Sequence, residues 1–372
     1  AHFMLGRVLE TGGQAAPALD VLIEAQQLFE AIHDNESAAQ MAAVTLTEQA
    51  DCLTALGRLD EAAETYNENI KRAEKQKDSR QVAVGKFQLA DVLRRQKKYK
   101  EAIEAYEEAL PIFEKQDEPK SVASVYHQIG IVHQDAGDFE RAEAAYRRSL
   151  EIKSRNDDRA GQASSLTMLG LLYKSHLNRW EEAVTFERKA ADIYVQTGDL
   201  RQEGVVRSNT ASTLKNIKRY DEARAEILRA IECDRQFGHA AEPWKTFDIL
   251  CDIETATGQA KAARAAWEQA RAAYLAYRRQ GGYAQGGGGN LVEHVLGLIS
   301  QKKTGEIQPL FNQLASDPDT PDTLKLLMNA IVAILNGSRD PALGDDPALN
   351  YADAAEVLFL IERLEPAPSV TS

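Results

Sequence analysis

The sequence has little cysteine, with only Cys52, Cys233 and Cys251 among its 372 residues. Disulfide frameworks and structural zinc sites need paired or clustered cysteines, so these scattered thiols exclude both. We expect them to be small buried residues of a protein in a reducing compartment. Residues 1–10 also lack the basic start and the small-residue cleavage site of a signal peptide. Together these observations predict a cytoplasmic protein.

Long hydrophobic runs are also absent. The longest apolar stretches, residues 324–335 and 354–361, are much shorter than the roughly 20 residues that a helix needs to cross a bilayer. The sequence therefore predicts no membrane span. With 44% hydrophobic and 27% charged residues, it has the composition of a folded chain with an extensive core.

Basic residues are outnumbered, 44 against 57 acidic ones, which gives a formal net charge of −13. Such a chain repels a phosphate backbone unless its cations gather on one face. The densest basic stretch, residues 94–100, is explained by the helix dipole, which stabilises cations near a helix C-terminus. We therefore predict no nucleic-acid partner.

An internal repeat dominates the sequence. An alanine in an acidic-rich pattern recurs in steps of 40, 40, 41, 40 and 39 residues, at Ala62, Ala102, Ala142, Ala183, Ala223 and Ala262. Three residues before the first five of these stands a large apolar residue: Leu59, Tyr99, Phe139, Trp180 and Tyr220. Four residues after them come Tyr66, Tyr106, Tyr146 and Ile227, with Phe186 displaced by one.

A second series of small residues precedes the first and keeps the same spacing. Its members are Ala50, Ala90, Gly130, Gly170, Ala211 and Cys251. Two antiparallel helices approach closely only where neither side chain intrudes, so small residues in both series predict a helix crossing. Seven residues beyond the second series, Gly57, Gly137 and Gly258 suit the left-handed turn that ends a helix, while Lys97 and Lys218 replace glycine there. Each repeat is thus predicted to be helix, short turn, helix.

This pattern resembles the tetratricopeptide repeat, whose common form has a period of about 34 residues. A period near 40 is similar to the longer variety of kinesin light chain, polarity adaptors and bacterial signalling ATPases. A divergent first hairpin fits Gly6, Ala18 and Phe29, so we expect about seven hairpins over residues 1–280. The resemblance implies an all-α fold, an α-α superhelix (a tetratricopeptide-repeat solenoid), which we expect to end in a small C-terminal helical cap.

Residues 281–289 hold so many glycines that we expect a flexible linker there rather than a helix. No Gly-Lys-Ser/Thr follows, which argues against a phosphate-binding loop. Asn290 and Glu293 suggest a capping box opening a further helical unit, residues 290–366, with helices near 290–303, 309–315, 320–334 and 351–364. This unit is predicted either to cap the last repeat or to serve as an effector or dimerisation module, followed by a frayed tail, residues 367–372.

No catalytic constellation is visible in the sequence. His127 and His133 lie six residues apart, whereas a helical metal pair needs a spacing of three or four. We therefore expect a protein that is not an enzyme and that needs neither a cofactor nor a metal.

The resemblance implies that the first helix of each hairpin lines a concave surface that holds a partner protein or peptide. The candidate contact residues are the polar positions of these helices that are not needed for packing: Gln88, Asp91, Arg94, Arg95, His127, Gln128, Gln134, Asp135, Arg207, Asn209, Ser212, Lys215 and Asn216. The variety that binds chaperone C-termini carries an asparagine where this chain has Asp51, Asp91 and Ile131, so a chaperone partner is not expected.

Two functional interpretations remain open. The chain is either a passive adaptor or the sensor arm of a larger signalling protein. In the second interpretation the effector is an ATPase, a caspase-like protease or a peptide-responsive transcription factor outside this sequence. Because the first hairpin begins almost at residue 1, we favour the sensor arm. The sequence leaves the partner's identity and the oligomeric state open.

Overall fold

A computed structural model of the protein describes residues 1–33 and 35–364, and within them the regular elements are all helices. The longer helices are α1 (His2–Thr11), α2 (Ala15–Glu30), α3 (Glu36–Ala55), α4 (Leu59–Lys75), α5 (Ser79–Arg95), α6 (Tyr99–Lys115), α7 (Pro119–Asp135), α8 (Phe139–Arg155), α9 (Arg159–Ser175), α10 (Trp180–Thr197), α11 (Leu200–Asn216), α12 (Tyr220–Asp234), α13 (Pro243–Ala256), α14 (Ala260–Arg279), α15 (Gly286–Ser300), α16 (Ile307–Ser316), α17 (Asp322–Leu335) and α18 (Tyr351–Leu364). The predicted tail lies outside the described residues.

The chain forms two compact units, an N-terminal unit of Ala1–Ile193 and a C-terminal unit that begins at Tyr194. Helices α1 to α14 follow one another as seven helix–turn–helix pairs, as the repeat predicts. In the part of the chain that the structure describes, none of the helices combines the length and the apolar character that crossing a bilayer requires.

The repeated small and large residues occupy equivalent places in each hairpin. The predicted large residues Leu59, Tyr99, Phe139, Trp180 and Tyr220 are the first residues of α4, α6, α8, α10 and α12. The alanines three residues later are fully buried from Ala62 to Ala223. In the last hairpin the prediction is wrong by one residue, because Ala262 is exposed and Ala263 is the buried alanine. With Ala263 in register, the step from Ala223 is again 40 residues.

Small residues are needed where the two helices of a hairpin cross. A Cβ atom added at Gly130 would lie 2.6 Å from the ring of Tyr146, and one added at Gly170 would lie 2.8 Å from Cγ of Glu187. Glu187 is itself buried and forms an ion pair with Lys174, with 3.4 Å between Nζ and Oε1. It takes the place that tyrosine has in the preceding hairpins, which explains why the aromatic Phe186 is displaced by one residue.

The turn inside each hairpin requires a left-handed residue. Gly57 has a φ of +74°, and the lysines that replace glycine adopt the same conformation, with φ of +62° at Lys97 and +63° at Lys218. A side chain in this region costs roughly 1–2 kcal/mol because Cβ crowds the following carbonyl oxygen. The lysines thus accept the strain instead of avoiding it with another type of turn.

Replacing Lys97 by Gly is therefore expected to raise the free energy of unfolding of the N-terminal unit by about 0.5–1 kcal/mol, since relief of strain exceeds the added entropy of the unfolded chain. Denaturant titration monitored by circular dichroism measures this change. Glu107→Gly, at an exposed position inside α6, is the matched control and is expected to lower stability by about 1 kcal/mol. A destabilised Lys97→Gly variant would show that the lysine side chain has a role of its own.

The glycine-rich segment is not a linker throughout, as the sequence predicted, because α15 already begins at Gly286. A Cβ atom at Gly288 would lie only 1.8 Å from Oδ1 of Asp353, and one at Gly289 would lie 3.2 Å from Oε1 of Glu356. The glycines let α15 approach α18, and this packing outweighs their low helix propensity. The residue that precedes α15 is Gln285, so the expected capping box at Asn290 is also wrong.

Within the C-terminal unit, α15 to α18 pack on the last hairpin. Trp267 of α14 shares an apolar cluster with Val292, Leu327 and Leu360, which lie on three of the last four helices. A second cluster joins Trp244, Tyr274 and Leu275 of the hairpin to Ala355 and Phe359 of α18. These helices therefore cover an apolar face of α14, as a cap does.

A buried ion pair fastens α18 to α14. The guanidinium of Arg278 is 3% exposed and the carboxylate of Glu356 is fully buried, with 2.8 Å between Nε and Oε1. The hydroxyl of Tyr274 donates a hydrogen bond to the same Oε1 at 2.9 Å, and Arg278 also forms an ion pair with Glu293. Burial raises the pKa of Glu356, and Arg278 and Tyr274 oppose that shift by stabilising the carboxylate.

Candidate binding groove

The inner helices of the N-terminal unit form a polar cavity of about 460 Å³. Four of the predicted groove residues line it, namely Gln88, Asp91 and Arg95 of α5 and Gln128 of α7. The three residues of α5 follow one another at intervals of three and four, a spacing that places side chains on one helix face. Gln128 stands 40 residues after Gln88 and therefore at the same position of the next hairpin.

Two arginines organise the charge around this cavity. Asp91 accepts hydrogen bonds from Nη2 of Arg94 at 3.0 Å and from Nε of Arg95 at 2.9 Å. Arg94 also donates through Nη1 to Asp135 at 2.8 Å and thereby joins α5 to α7. The side chain of Arg95 is 48% exposed, twice as much as that of Arg94. Arg94 and Asp135 are thus held by contacts within the protein, whereas Arg95 is open to a ligand.

The cavity also contains Asp51 and Tyr66, which the sequence analysis did not select as groove residues. Tyr66 donates its hydroxyl hydrogen to Oδ1 of Asp51. Burial raises the pKa of Asp51, and the neighbouring carboxylates Glu48 and Asp91 add to the shift, while Tyr66 opposes it. Asp51 lies 40 residues before Asp91, so its repeat position could have identified it.

Three acidic side chains converge beside the cavity. Oxygens of Glu10, Glu48 and Asp51 lie within 4.8 Å of one another. Burial, a hydrogen bond with Glu48 and the charges of Glu48 and Asp51 raise the pKa of Glu10 to about 7, and Arg7 opposes the shift. Nε of Arg7 lies 3.4 Å from Oε1 of Glu48. The cavity is therefore acidic on the side of α1 and α3.

Two of the predicted residues of α7 pack on Tyr146. Gln134 accepts a hydrogen bond from its hydroxyl at 3.0 Å, and the imidazole of His127 lies 5.6 Å from its ring, centroid to centroid. Burial and the charge of Lys153 lower the pKa of His127 to about 4, so the ring is neutral at pH 7. These two residues support the hairpin and do not line the cavity.

The side-chain amide of Gln88 has unused hydrogen-bonding capacity. Its Oε1 atom is buried and accepts no hydrogen bond from the part of the chain that the structure describes. Buried polar atoms in folded proteins are nearly always paired. An amide at the wall of a cavity with such an acceptor is suited to receive an N–H group from a bound molecule.

The predicted residues of the C-terminal unit have different surroundings. Arg207 donates to Glu203 at 2.8 Å and to Glu226 at 2.6 Å, and is half-buried between them. Lys215 donates to Asp252 of α13 at 2.5 Å. Asn209 and Ser212 are half-buried on α11, and Asn216 is exposed at its last position. Arg207 thus has a structural partner on both sides, and the role of the other four stays a prediction.

The comparisons with known proteins agree with this architecture. The sequence profile of the tetratricopeptide repeat matches residues 40–115 and 121–196. A search of curated proteins finds no match. Among solved structures, BtubC (BKLC) from P. vanneervenii is 25% identical, with a TM-score of 0.52 over 61% of this chain and 91% of that protein.

Two further solved structures share the fold at lower identity. One is a signal transduction ATPase with numerous domains and a tetratricopeptide repeat sensor from Pyrococcus horikoshii, 16% identical, with a TM-score of 0.56 over 69% of this chain and 38% of that protein. The other is the quorum sensor NprR from B. thuringiensis, 14% identical, with a TM-score of 0.52 over 82% and 83%. The chain therefore carries tetratricopeptide repeats of the long, kinesin-light-chain-like variety.

Proposed function

We propose that the chain binds a segment of a partner protein or peptide in the cavity between α3, α5 and α7, and that it is the sensor or adaptor part of a larger signalling protein. The sensor interpretation is supported by the likeness to a repeat sensor of a signalling ATPase and to a quorum sensor, which is a likeness of fold. The proposed role is binding and not catalysis, since the matched family and these structures are repeat scaffolds and sensors.

The observation that carries this proposal is the convergence of four predicted groove residues on one cavity of about 460 Å³. That volume lies in the range of roughly 300–1,000 Å³ typical of ligand sites. Gln88 and Gln128 offer donors and acceptors to the N–H and C=O groups of a backbone, at one repeat position on neighbouring helices. Asp51 and Arg95 are opposite charges that can fix the direction of a bound segment.

Replacing Gln88, Arg95 and Gln128 together by Ala is expected to weaken partner binding by at least about tenfold, since a few residues carry most of the energy of an interface. The ligand is the partner recovered from native lysate by the intact chain and then purified. Titration calorimetry gives the affinity, and thermal melting is expected to stay close to that of the wild type because truncated surface positions change stability little.

The matched control changes Glu64, Glu107 and Glu140, three exposed residues of the second helices, to Ala. This variant is expected to bind like the wild type. If the groove variant melts normally and binds the partner undiminished, the cavity is not the binding site, and the second helices or α15 to α18 become the better candidates.

A further inference from the structure

The C-terminal unit has an apolar pocket of about 310 Å³ beside the turn of the last hairpin. Its walls come from both helices of the hairpin and from the loop before α18, and they include Cys251, Ala260, Ala263, Arg264, Trp267 and Pro347. The pocket is separate from the polar cavity of the N-terminal unit and has the opposite chemical character.

The pocket lies where the repeat pattern lacks a large side chain. Ala260 is the first residue of α14, at the position that Leu59, Tyr99, Phe139, Trp180 and Tyr220 hold in the earlier second helices. Of these, Leu59, Tyr99 and Phe139 are half-buried and pack against the cores of the N-terminal unit. An alanine at this place leaves open the volume that a large side chain fills elsewhere.

Cys251 shows the consequence of this vacancy. It occupies the repeat position of Ala50, Ala90, Gly130, Gly170 and Ala211, which are buried. Cys251 is only half-buried and lines the pocket, whereas Cys52 and Cys233 are fully buried. The expectation of three buried cysteines is thus wrong at Cys251, because the pocket exposes its thiol.

We propose that this pocket binds an aromatic side chain of a partner polypeptide. Four of the five residues that hold this position in the earlier hairpins are aromatic, so the occupant that the repeat accommodates here is an aromatic ring. The space suffices, because an apolar cavity of about 150 Å³ already admits benzene. The pocket opens to the surface, so the backbone that carries the ring remains outside while the ring is enclosed, as at interface anchor residues.

The charged rim of the pocket fits the same ligand. The guanidinium of Arg264 lies over the indole of Trp267, 4.3 Å from the ring centroid. An arginine held flat on one aromatic ring presents its other face to a second ring, and cations over aromatic faces are attracted by the ring quadrupole. An aliphatic side chain would gain only the apolar contact. The pocket is therefore expected to prefer aromatic over aliphatic groups.

The test measures how fast a small thiol reagent modifies Cys251 in the intact chain. N-acetyl-phenylalanine amide, a ring on a peptide backbone, is expected to slow this reaction about threefold at a concentration of twice its Kd. The variant Ala260→Phe fills the pocket from within, so it is expected to slow the reaction without the probe and to abolish the probe's effect. Ala262→Phe, at the exposed neighbour, is the matched control and is expected to behave as the wild type.

Several outcomes would overturn the proposal. Equal protection by N-acetyl-leucine amide would show that the pocket does not select aromatic rings. Protection by free indole but not by the phenylalanine amide would identify a site for small molecules instead of a polypeptide. Unchanged probe protection in Ala260→Phe would place the probe elsewhere. If Ala260→Phe does not fold, Ala260→Leu fills most of the same volume and is subject to the same comparison.

Discussion

Replacing Arg278 by Met is expected to destabilise the C-terminal unit by about 3–5 kcal/mol, the usual cost of removing one partner of a buried ion pair. The substitution leaves the carboxylate of Glu356, which is fully buried, without its guanidinium partner. The hydroxyl of Tyr274 is then the remaining contact to that carboxylate among those described above. Denaturant unfolding followed by circular dichroism measures the loss, with α15 to α18 expected to detach first.

The double variant with Met at 278 and Leu at 356 is the control for this prediction. It removes both charges, so it is expected to recover most of the lost stability. Glu356 has a pKa raised by burial, and without Arg278 its folded form favours the proton still more. The penalty of the single variant is therefore greatest at neutral pH and shrinks as the pH falls. A single variant that unfolds like the wild type at pH 7 would contradict the latch.

Replacing Gly130 by Leu is expected to cost the N-terminal unit about 1–3 kcal/mol or more, because extra atoms are forced into a packed crossing. Even a Cβ atom at this position lies 2.6 Å from the ring of Tyr146. That ring is fully buried, so it cannot move aside into solvent. Gly130→Ala is expected to be destabilising as well, although alanine is the better helix former.

Gly297 provides the comparison for the effect of glycine itself. It lies inside α15, and a Cβ atom added there meets nothing within 4 Å. Gly297→Ala is therefore expected to stabilise the C-terminal unit by roughly 0.5–1 kcal/mol. Thermal melting of both variants separates the two effects. An unchanged melting temperature for Gly130→Leu would mean that the helix crossings are misplaced.

The hairpins could be predicted from sequence because each one repeats the same steric requirements. A small residue at each crossing and a left-handed residue at each turn are local needs that recur in register. The register failed only at Ala262, in a segment where alanines at 260, 262, 263, 265 and 266 offer several equivalent alignments. Burial of Ala263, and not composition, decides between them.

The start of α15 could not be predicted, because its cause is distant in the sequence. Glycine composition argues against a helix, and only the approach of Asp353 and Glu356 from α18 explains why Gly288 and Gly289 are helical. The same limit applies to Glu293, which looks like a capping residue but forms an ion pair with Arg278.

The candidate groove shows both what periodicity reveals and what it omits. Helical spacing correctly brought Gln88, Asp91 and Arg95 onto one face. It does not reveal which side chains already have partners, so it also selected Arg94 and Arg207, whose guanidinium groups are held by neighbouring carboxylates. Asp51 was missed because its repeat position was considered only for the chaperone clamp.

The central claim is that the partner lies against the first helices of the N-terminal unit. Hydrogen exchange with and without the bound partner tests it most directly, since it reports the protected segments without any substitution. We predict slower exchange in α3, α5 and α7, with the largest change around Asp91. Protection confined to α4, α6 and α8, or to α15 to α18, would contradict it.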